Sequence, residues 1–157
     1  MIPADTLAEL RYFQDCYVAA IDDDRLEEWP GFFLDDALYE IIPRENEDMG
    51  LPVPILWCDN TAMMRDRVAS LRHANIFEKP NYRHFLSAMI VTGVSDLGIA
   101  LRTNYAVLNT SAEGSSSVYQ TGVYRDLVIR TEAGWRFRQK RVIYDTSRVQ
   151  TLLAYPI

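Results

Sequence analysis

The side chains of this sequence that could do acid–base chemistry or bind a metal are few and widely spaced. Two histidines, His73 and His84, and two cysteines, Cys16 and Cys58, occur in 157 residues, at no spacing that forms a metal-ligand motif. His84 opens a predicted strand, where an imidazole could act as a general base near pH 7. The alternative is a hydrogen-bonded histidine at a strand end or subunit contact, and it is favoured because no acid partner is identifiable. The sequence therefore predicts no catalytic residue, metal or cofactor on this chain.

Three basic residues alternate near the C-terminal end of the chain, which places Arg136, Arg138 and Lys140 on one face of a predicted strand. Such a face could bind an acidic partner, but a solvated face that discourages aggregation at a sheet edge is favoured. Several aromatic residues nearer the N-terminus could line a substrate pocket, although their helical spacing favours an ordinary core. They are Tyr12, Tyr17, Trp29, Phe32 and Phe33.

The last seven residues, Thr151 to Ile157, carry no charge. Chain ends are usually polar and frayed, and an undocked apolar tail would promote association. We therefore expect the tail, with Tyr155 and Ile157, to dock against this domain or against another subunit.

The first half of the chain must supply helices. Thr6-x-x-Glu9 fits a capping box at a helix start, and Leu10, Phe13 and Tyr17 follow it at helical spacing. Asp22-Asp23-Asp24 is expected to end this helix. The other predicted elements of this half are a short helix at 26–33, a strand at 37–43, a polar loop at 44–54 and a third helix at 61–74.

From Arg83 onward the hydrophobic period changes to two, which predicts strands at 83–95, 99–111, 117–131 and 135–147. The short turns between them predict antiparallel neighbours. Helices followed by a long meander indicate an α+β fold, with helices packed on one face of a long, curved sheet that coils into a cone. Because no linker or repeat divides the chain, residues 1–157 are expected to form a single domain.

The composition limits the function classes. With 48% hydrophobic and 24% charged residues, the chain has the profile of a globular domain. A net charge of −6 argues against binding to nucleic acid or to an anionic membrane surface. No basic leader or long apolar run is present, so the sequence predicts a cytoplasmic protein.

Short fragments in a constant order give the sequence a family resemblance. It resembles the small (beta) subunits of Rieske non-haem iron aromatic-ring-hydroxylating dioxygenases over essentially its whole length, in particular those of enzymes that act on aromatic carboxylates, salicylate 5-hydroxylase and terephthalate dioxygenase. The fragments are Trp29-Pro30-Gly31-Phe32-Phe33, Tyr39, Pro43-Arg44-Glu45-Asn46, Gly50-Leu51-Pro52, Met64, Asp66-Arg67-Val68, Tyr82-Arg83-His84, Asn104-Tyr105-Ala106-Val107, Gly122-Val123-Tyr124, Asp126, Asp145-Thr146 and Tyr155-Pro156-Ile157.

The resemblance implies the cystatin-like, nuclear-transport-factor-two-like cone. It also implies a non-catalytic structural subunit in aromatic-compound catabolism, whose partner alpha subunit carries the Rieske [2Fe-2S] cluster and the mononuclear non-haem iron. Self-association as a trimer, within an assembly of three alpha and three beta subunits, is implied as well. The subunit-interface candidates that it suggests are Arg44, Glu45, Asn46, Arg83, His84, Tyr155 and Ile157.

Two other functions remain open at this point. One is an independent small enzyme of the same cone fold, such as a dehydratase, isomerase or epoxide hydrolase, that uses His84 in its cavity. The other is a ligand-binding cone without chemistry. The contents of the cone distinguish these functions from that of a structural subunit. Packed apolar side chains favour a structural subunit, whereas convergent polar groups favour an enzyme or a ligand-binding protein.

Overall fold

The chain begins with a long helix and ends with four long strands in the computed structural model, which describes residues 1–51, 53–73, 79–146 and 154–157. The helices are α1 (Ala4–Asp22), a 3-10 helix (Leu26–Phe32), α2 (Arg44–Asp48) and α3 (Thr61–His73). The strands are β1 (Phe33–Pro43), β2 (Leu56–Cys58), β3 (Tyr82–Ser95), β4 (Gly98–Thr110), β5 (Ser116–Thr131) and β6 (Gly134–Tyr144). Among these helices, none has both the length and the apolar character that crossing a bilayer requires.

The strands form one sheet in the order β2-β1-β6-β5-β4-β3. The meander from β3 to β6 is antiparallel throughout, as its short turns predict. β1 then pairs in parallel with β6, and β2 closes the other edge of the sheet antiparallel to β1. The expectation of an α+β fold with a mostly antiparallel sheet is confirmed.

The hydrophobic core lies between α1 and one face of this sheet, which we call the inner face. Tyr17 of α1 meets the rings of Phe137 on β6 and Tyr124 on β5, with centroids 5.3 Å and 6.5 Å away. Trp29 of the 3-10 helix is fully buried and packs edge-on against Tyr39 of β1. Interlocked aromatic rings of this kind therefore occupy the centre of the cone.

The observed elements differ from the prediction at several points, most of them in the N-terminal half. The capping box at Thr6 is wrong, because α1 begins at Ala4 after Pro3 and no side chain caps it. The predicted loop at 44–54 contains α2, and the short strand β2 follows it. β1 begins at Phe33, four residues before the predicted start at 37, and β6 ends at Tyr144, three residues before the predicted end at 147. Residue 74, the predicted end of the third helix, lies outside the described residues.

Candidate functional site

A charged pair lies in the middle of the cone. Lys140 on β6 and Asp126 on β5 are both fully buried, and the Lys140 Nζ lies 3.2 Å from the Asp126 Oδ2. Gln14 of α1 completes the group, since its amide donates to Asp126 and its Oε1 accepts from Lys140. The ammonium also lies 3.5 Å from the centroid of the Tyr124 ring, a cation–π geometry.

Burial acts against both charges of this pair. It lowers the pKa of Lys140 to about 8, although attraction to Asp126 opposes the change. It likewise raises the pKa of Asp126, against the attraction of Lys140 and the hydrogen bond from Gln14. The side chains are enclosed by rings and have no exposed surface, so the pair is placed to hold α1 on the sheet.

The prediction of a solvated face for Arg136, Arg138 and Lys140 is therefore wrong for Lys140. The pairing register of β5 with β6 shifts where Leu127 faces Gln139 and Val128 faces Phe137, which leaves Arg138 as an extra residue. Such a bulge reverses the alternation of side chains beyond it. Phe137 and Lys140, three positions apart, are consequently both buried on the inner face.

His84 has an acid partner that the sequence did not reveal. Its Nδ1 lies 2.6 Å from the Asp22 Oδ1, and its backbone N–H donates to the Asp22 Oδ2 over 2.8 Å. Asp22 is the last residue of α1, and from the sequence the Asp22-Asp23-Asp24 run predicts only the end of that helix. The His84 side chain has no exposed surface, so this dyad fastens the end of α1 to the start of β3.

Further polar atoms on the inner face are buried without a hydrogen-bond partner in the described part of the chain. They are the His84 Nε2, the Thr103 Oγ1 and the hydroxyls of Tyr124 and Tyr144. Buried unpaired groups usually mark ordered water or a ligand. Burial also raises the pKa of several phenols in this interior well above the ordinary value, namely Tyr17, Tyr105 and Tyr124. They stay protonated at neutral pH and are not poised as bases.

The residues of this chain do not fit an iron–sulfur cluster or a mononuclear iron site. A Rieske cluster needs two cysteines and two histidines around one centre. Here Cys16 lies on α1, Cys58 on β2 and His73 at the end of α3, while His84 is bound to Asp22. Within the described ranges, no three side chains of the metal-ligating types are grouped closely enough to hold a metal ion.

The interface candidates of the long loop lie on α2. Arg44 is exposed and pairs with Asp145, which follows β6. Glu45 is exposed, whereas the Asn46 amide donates to the carbonyl oxygen of Val53 and so braces the loop. Arg83 is exposed on β3, beside the buried His84. Their role at an interface stays a prediction.

The end of the chain is docked in the core of its own domain. Ile157 is fully buried, and its carbonyl oxygen accepts hydrogen bonds from the hydroxyls of Tyr17 and Tyr39 at 3.0 Å and 3.2 Å. Its backbone N–H donates to the Tyr39 hydroxyl. Tyr155 is half-buried near Tyr82. The predicted docking of residues 151–153 lies outside the described residues.

An open groove of about 1140 Å³ runs between α1 and the turn that joins β5 to β6. Phe13 and Phe32 form part of its floor, and Tyr12, at 72% exposure, stands at its rim. The expectation that Tyr12 belongs to the core is therefore wrong. Glu9 crosses the groove to Arg130 and to the indole N–H of Trp135, so the charges of Glu9 and Arg130 are paired within the chain.

Comparisons with known proteins place this architecture in a family. The family model described as "Ring hydroxylating beta subunit" matches residues 18–151. The small subunit of anthranilate 1,2-dioxygenase from Burkholderia cepacia is 53% identical over 97% of this chain and 94% of its own length. Subunit beta 2 of the terminal oxygenase component of terephthalate 1,2-dioxygenase from a Comamonas species is 31% identical over 95% and 97%.

A solved structure extends the comparison to the whole fold. A Novosphingobium aromaticivorans protein described as the beta subunit of an aromatic-ring-hydroxylating dioxygenase has a TM-score of 0.88 and 38% identity. The alignment covers 99% of this chain and 100% of that one. The resemblance noted in the sequence is confirmed, and the chain belongs to the family of ring-hydroxylating dioxygenase beta subunits.

Proposed function

We propose that this chain is the non-catalytic, structural subunit of a multicomponent aromatic-ring-hydroxylating dioxygenase. The observation that carries the proposal is the match to small subunits over nearly the whole chain, with both lengths covered almost completely. The interior supports it, because the centre of the cone is filled by packed rings and a closed Lys140–Asp126 pair. A structural subunit needs a rigid body of this kind.

The chemistry then belongs to a larger partner subunit. We place the Rieske [2Fe-2S] cluster and the mononuclear iron on that alpha subunit, since the side chains here do not fit either group. Three copies of this chain, bound to three alpha subunits, would hold neighbouring alpha subunits in register for electron transfer between them. Closed threefold symmetry lets complementary patches bind without open-ended growth.

The substrate class that we propose is an aromatic carboxylate. Two relatives are named for anthranilate and terephthalate, which are both aromatic carboxylates. A cytoplasmic location is part of the proposal and is supported by Cys16 and Cys58, which form no disulfide, as is usual in a reducing compartment.

Co-expression with the large subunit tests the proposal. A tagged chain should co-purify with an iron–sulfur protein, visible as a brown absorbance, in a species that light scattering measures as a hexamer. A colourless species that contains this chain alone would contradict the proposal.

A second candidate function, acid–base catalysis at His84, is favoured by the Asp22–His84 contact of 2.6 Å. It predicts that a His84→Gln complex loses turnover at unchanged assembly and iron content. The structural proposal predicts that a folded His84→Gln complex hydroxylates its substrate at an unchanged rate per iron.

A further inference from the structure

A small cavity lies between α1 and the edge strand β3, on the inner face of the sheet. Its volume is about 240 Å³. Gln14 of α1 and Thr103 of β4 are each 1% exposed and form its floor. Arg11 and Asp15 of α1, both exposed, line it where it opens to solvent. We call this space the edge cavity.

A bulge in β3 shapes the edge cavity. The pairing of β3 with β4 shifts at this point, so that Ala88 and Met89 both lie opposite Thr103. Ala88 has a φ of 51°, in the left-handed region that a residue with a side chain rarely adopts. Bulges are common next to functional sites, where they redirect side chains. Leu86 and Met89, on either side of Ala88, give the cavity an apolar wall.

Hydrogen-bond donors converge on the floor of the edge cavity. The Thr103 hydroxyl is buried and has no hydrogen-bond partner in the described part of the chain. The Gln14 amide nitrogen carries two N–H groups and donates to the Asp126 carboxylate, which uses one of them. Donors that are buried without an acceptor are costly and usually mark ordered water or a ligand. A ligand with acceptor oxygens would satisfy them.

The two charged residues at the opening have opposite signs. Arg11 and Asp15 are four positions apart in α1, which places them one turn apart on the same side of the helix. Neither forms an ion pair or a hydrogen bond within the described ranges. A guanidinium binds a carboxylate through charge-assisted hydrogen bonds, whereas an aspartate accepts hydrogen bonds and repels a second negative charge. The two residues together therefore suit a ligand with one carboxylate and an N–H or O–H donor next to it.

We propose that the edge cavity binds a small aromatic monocarboxylate that carries an amino or hydroxyl group in the ortho position. The carboxylate accepts hydrogen bonds from Arg11 and from the Thr103 hydroxyl, and the ortho group donates to Asp15. The ring lies against Leu86 and Met89. An apolar cavity of about 150 Å³ holds a benzene molecule, so about 240 Å³ accommodates one substituted ring.

The inference rests on the proposed function in one respect, the choice of an aromatic ring. The donors and the Asp15 carboxylate by themselves suit any small carboxylate with an adjacent donor, and α-amino acids share that chemistry. A bound ligand would join α1 to β3 and stabilise the folded chain by mass action. The structural subunit would thus respond to the class of molecule that its complex hydroxylates.

Isothermal titration calorimetry of the isolated full chain tests the proposal with four probes, namely ortho-aminobenzoate, para-aminobenzoate, benzoate and alanine. Ortho-aminobenzoate should bind. The para isomer and benzoate should bind at least about 5-fold more weakly, because neither has a donor next to its carboxylate. Alanine should bind more weakly still, since it leaves the apolar wall uncovered. Tighter binding of alanine than of ortho-aminobenzoate would overturn the choice of an aromatic ligand.

Variants at the opening locate the site on the chain. Arg11→Gln should weaken the binding of ortho-aminobenzoate by about 10-fold, because it removes a charge-assisted hydrogen bond. Asp15→Ala should remove the preference for ortho-aminobenzoate over benzoate. Asp5→Ala is the matched control, since Asp5 is an exposed aspartate of the same helix that does not line the edge cavity. It should change neither the affinity nor the preference.

Thr103→Val separates binding from folding. Valine keeps the branched shape of threonine without the hydroxyl, so a hydroxyl that binds nothing in the chain is lost without cost to the stability of the fold. Binding of ortho-aminobenzoate should weaken by about 5-fold, while the denaturant midpoint stays unchanged or rises. A Thr103→Val chain that is destabilised yet binds normally would show that the hydroxyl serves the fold and not the ligand.

Two further outcomes overturn the proposal. One is that none of the probes binds at millimolar concentration, and the other is that every variant binds ortho-aminobenzoate as wild type does. The brown complex with the large subunit would still form in both cases if the proposed function is correct, because that complex does not require the edge cavity. Failure of the complex to form, with binding to the isolated chain intact, would contradict the proposed function alone.

Discussion

The inner and outer faces of the sheet differ in whether their charged side chains are buried and paired within the chain. The inner face buries Lys140 and Asp126 against each other and closes His84 onto Asp22. The outer face has an exposed Arg83 and a half-buried Arg102 at one end, and an exposed Glu45 and Asp48 at the other. Buried charges must find partners within the chain as it folds, whereas exposed ones are free to find them in another molecule. Changes on the inner face should therefore alter folding, and changes on the outer face should alter association.

Alkaline pH should have the largest effect, because ionisation of the buried phenols should disrupt the packing on the inner face completely. Burial holds the pKa of Tyr17, Tyr105 and Tyr124 above the ordinary value of 10.0. Because these raised values belong to the folded state, the stability that they contribute is intact below pH 10 and is lost as the pH rises above it. We expect tyrosinate absorbance and the loss of circular dichroism to appear together. Ionisation of these phenols in a chain that remains folded would contradict this.

Lys140→Ala should cost about 3–5 kcal/mol in the free energy of unfolding, because it leaves Asp126 buried without its partner. Denaturant titration measures the loss. The double change Lys140→Met with Asp126→Leu removes both charges and should recover most of it. If the double variant is as unstable as the single one, the buried charge is not the cause.

The pH dependence of wild type sharpens the same prediction. The pKa of Lys140 is lowered from 10.5 to about 8 in the folded chain. The unfolded state therefore binds more protons than the folded state in that interval, so this residue makes stability rise from about pH 8 until the phenols reverse the trend. The rise should be missing from the double variant without charges.

Asp22→Ala should cost about 1–3 kcal/mol, because the His84 ring and backbone N–H both lose their acceptor while buried. Asp23→Ala is a matched control one position along, at an exposed carboxylate near Arg25, and should change the free energy of unfolding by less than about 0.5 kcal/mol. If thermal or denaturant unfolding shows the same loss of stability in Asp22→Ala and Asp23→Ala, the Asp22–His84 contact does not stabilise the fold.

Arg102→Ala should have the smallest effect on folding, within about 0.5 kcal/mol, since this half-buried side chain on the outer face forms no ion pair in the described chain. It should nevertheless weaken the self-association measured by sedimentation. An Arg102→Ala chain that is clearly destabilised yet associates normally would remove the distinction between the two faces.

The sequence predicted the elements whose signals are local. Alternating residues and short turns placed both ends of β3, β4 and β5 and the start of β6 within one residue, because each strand pairs with its neighbour along the chain. Only the end of β6 differs more, by three residues. The Arg138 bulge has no local signal, so the burial of Lys140 could not be foreseen from alternation. Asp126 alternates with Tyr124 and Val128, and a carboxylate between two such residues on one strand face is the clue that could have revealed the pair.

Contacts between distant segments could not be predicted from the sequence either, because they too have no local signal. Asp22 and His84 are 62 positions apart, and nothing near either residue specifies the other. The family resemblance predicted the cone-shaped fold and the type of subunit. It did not supply the charge pairing within the cone.

The parallel pairing of β1 with β6 has a consequence for how the chain folds. Glu40 and Arg141, which meet across that pair, are 101 positions apart, so the contact closes a long loop and carries its entropic cost. The meander from β3 to β6 contains only short-range pairings and can form first. On the ribosome, β1 therefore cannot join the meander until β6 has emerged, and α1 can complete the core only after the meander has formed.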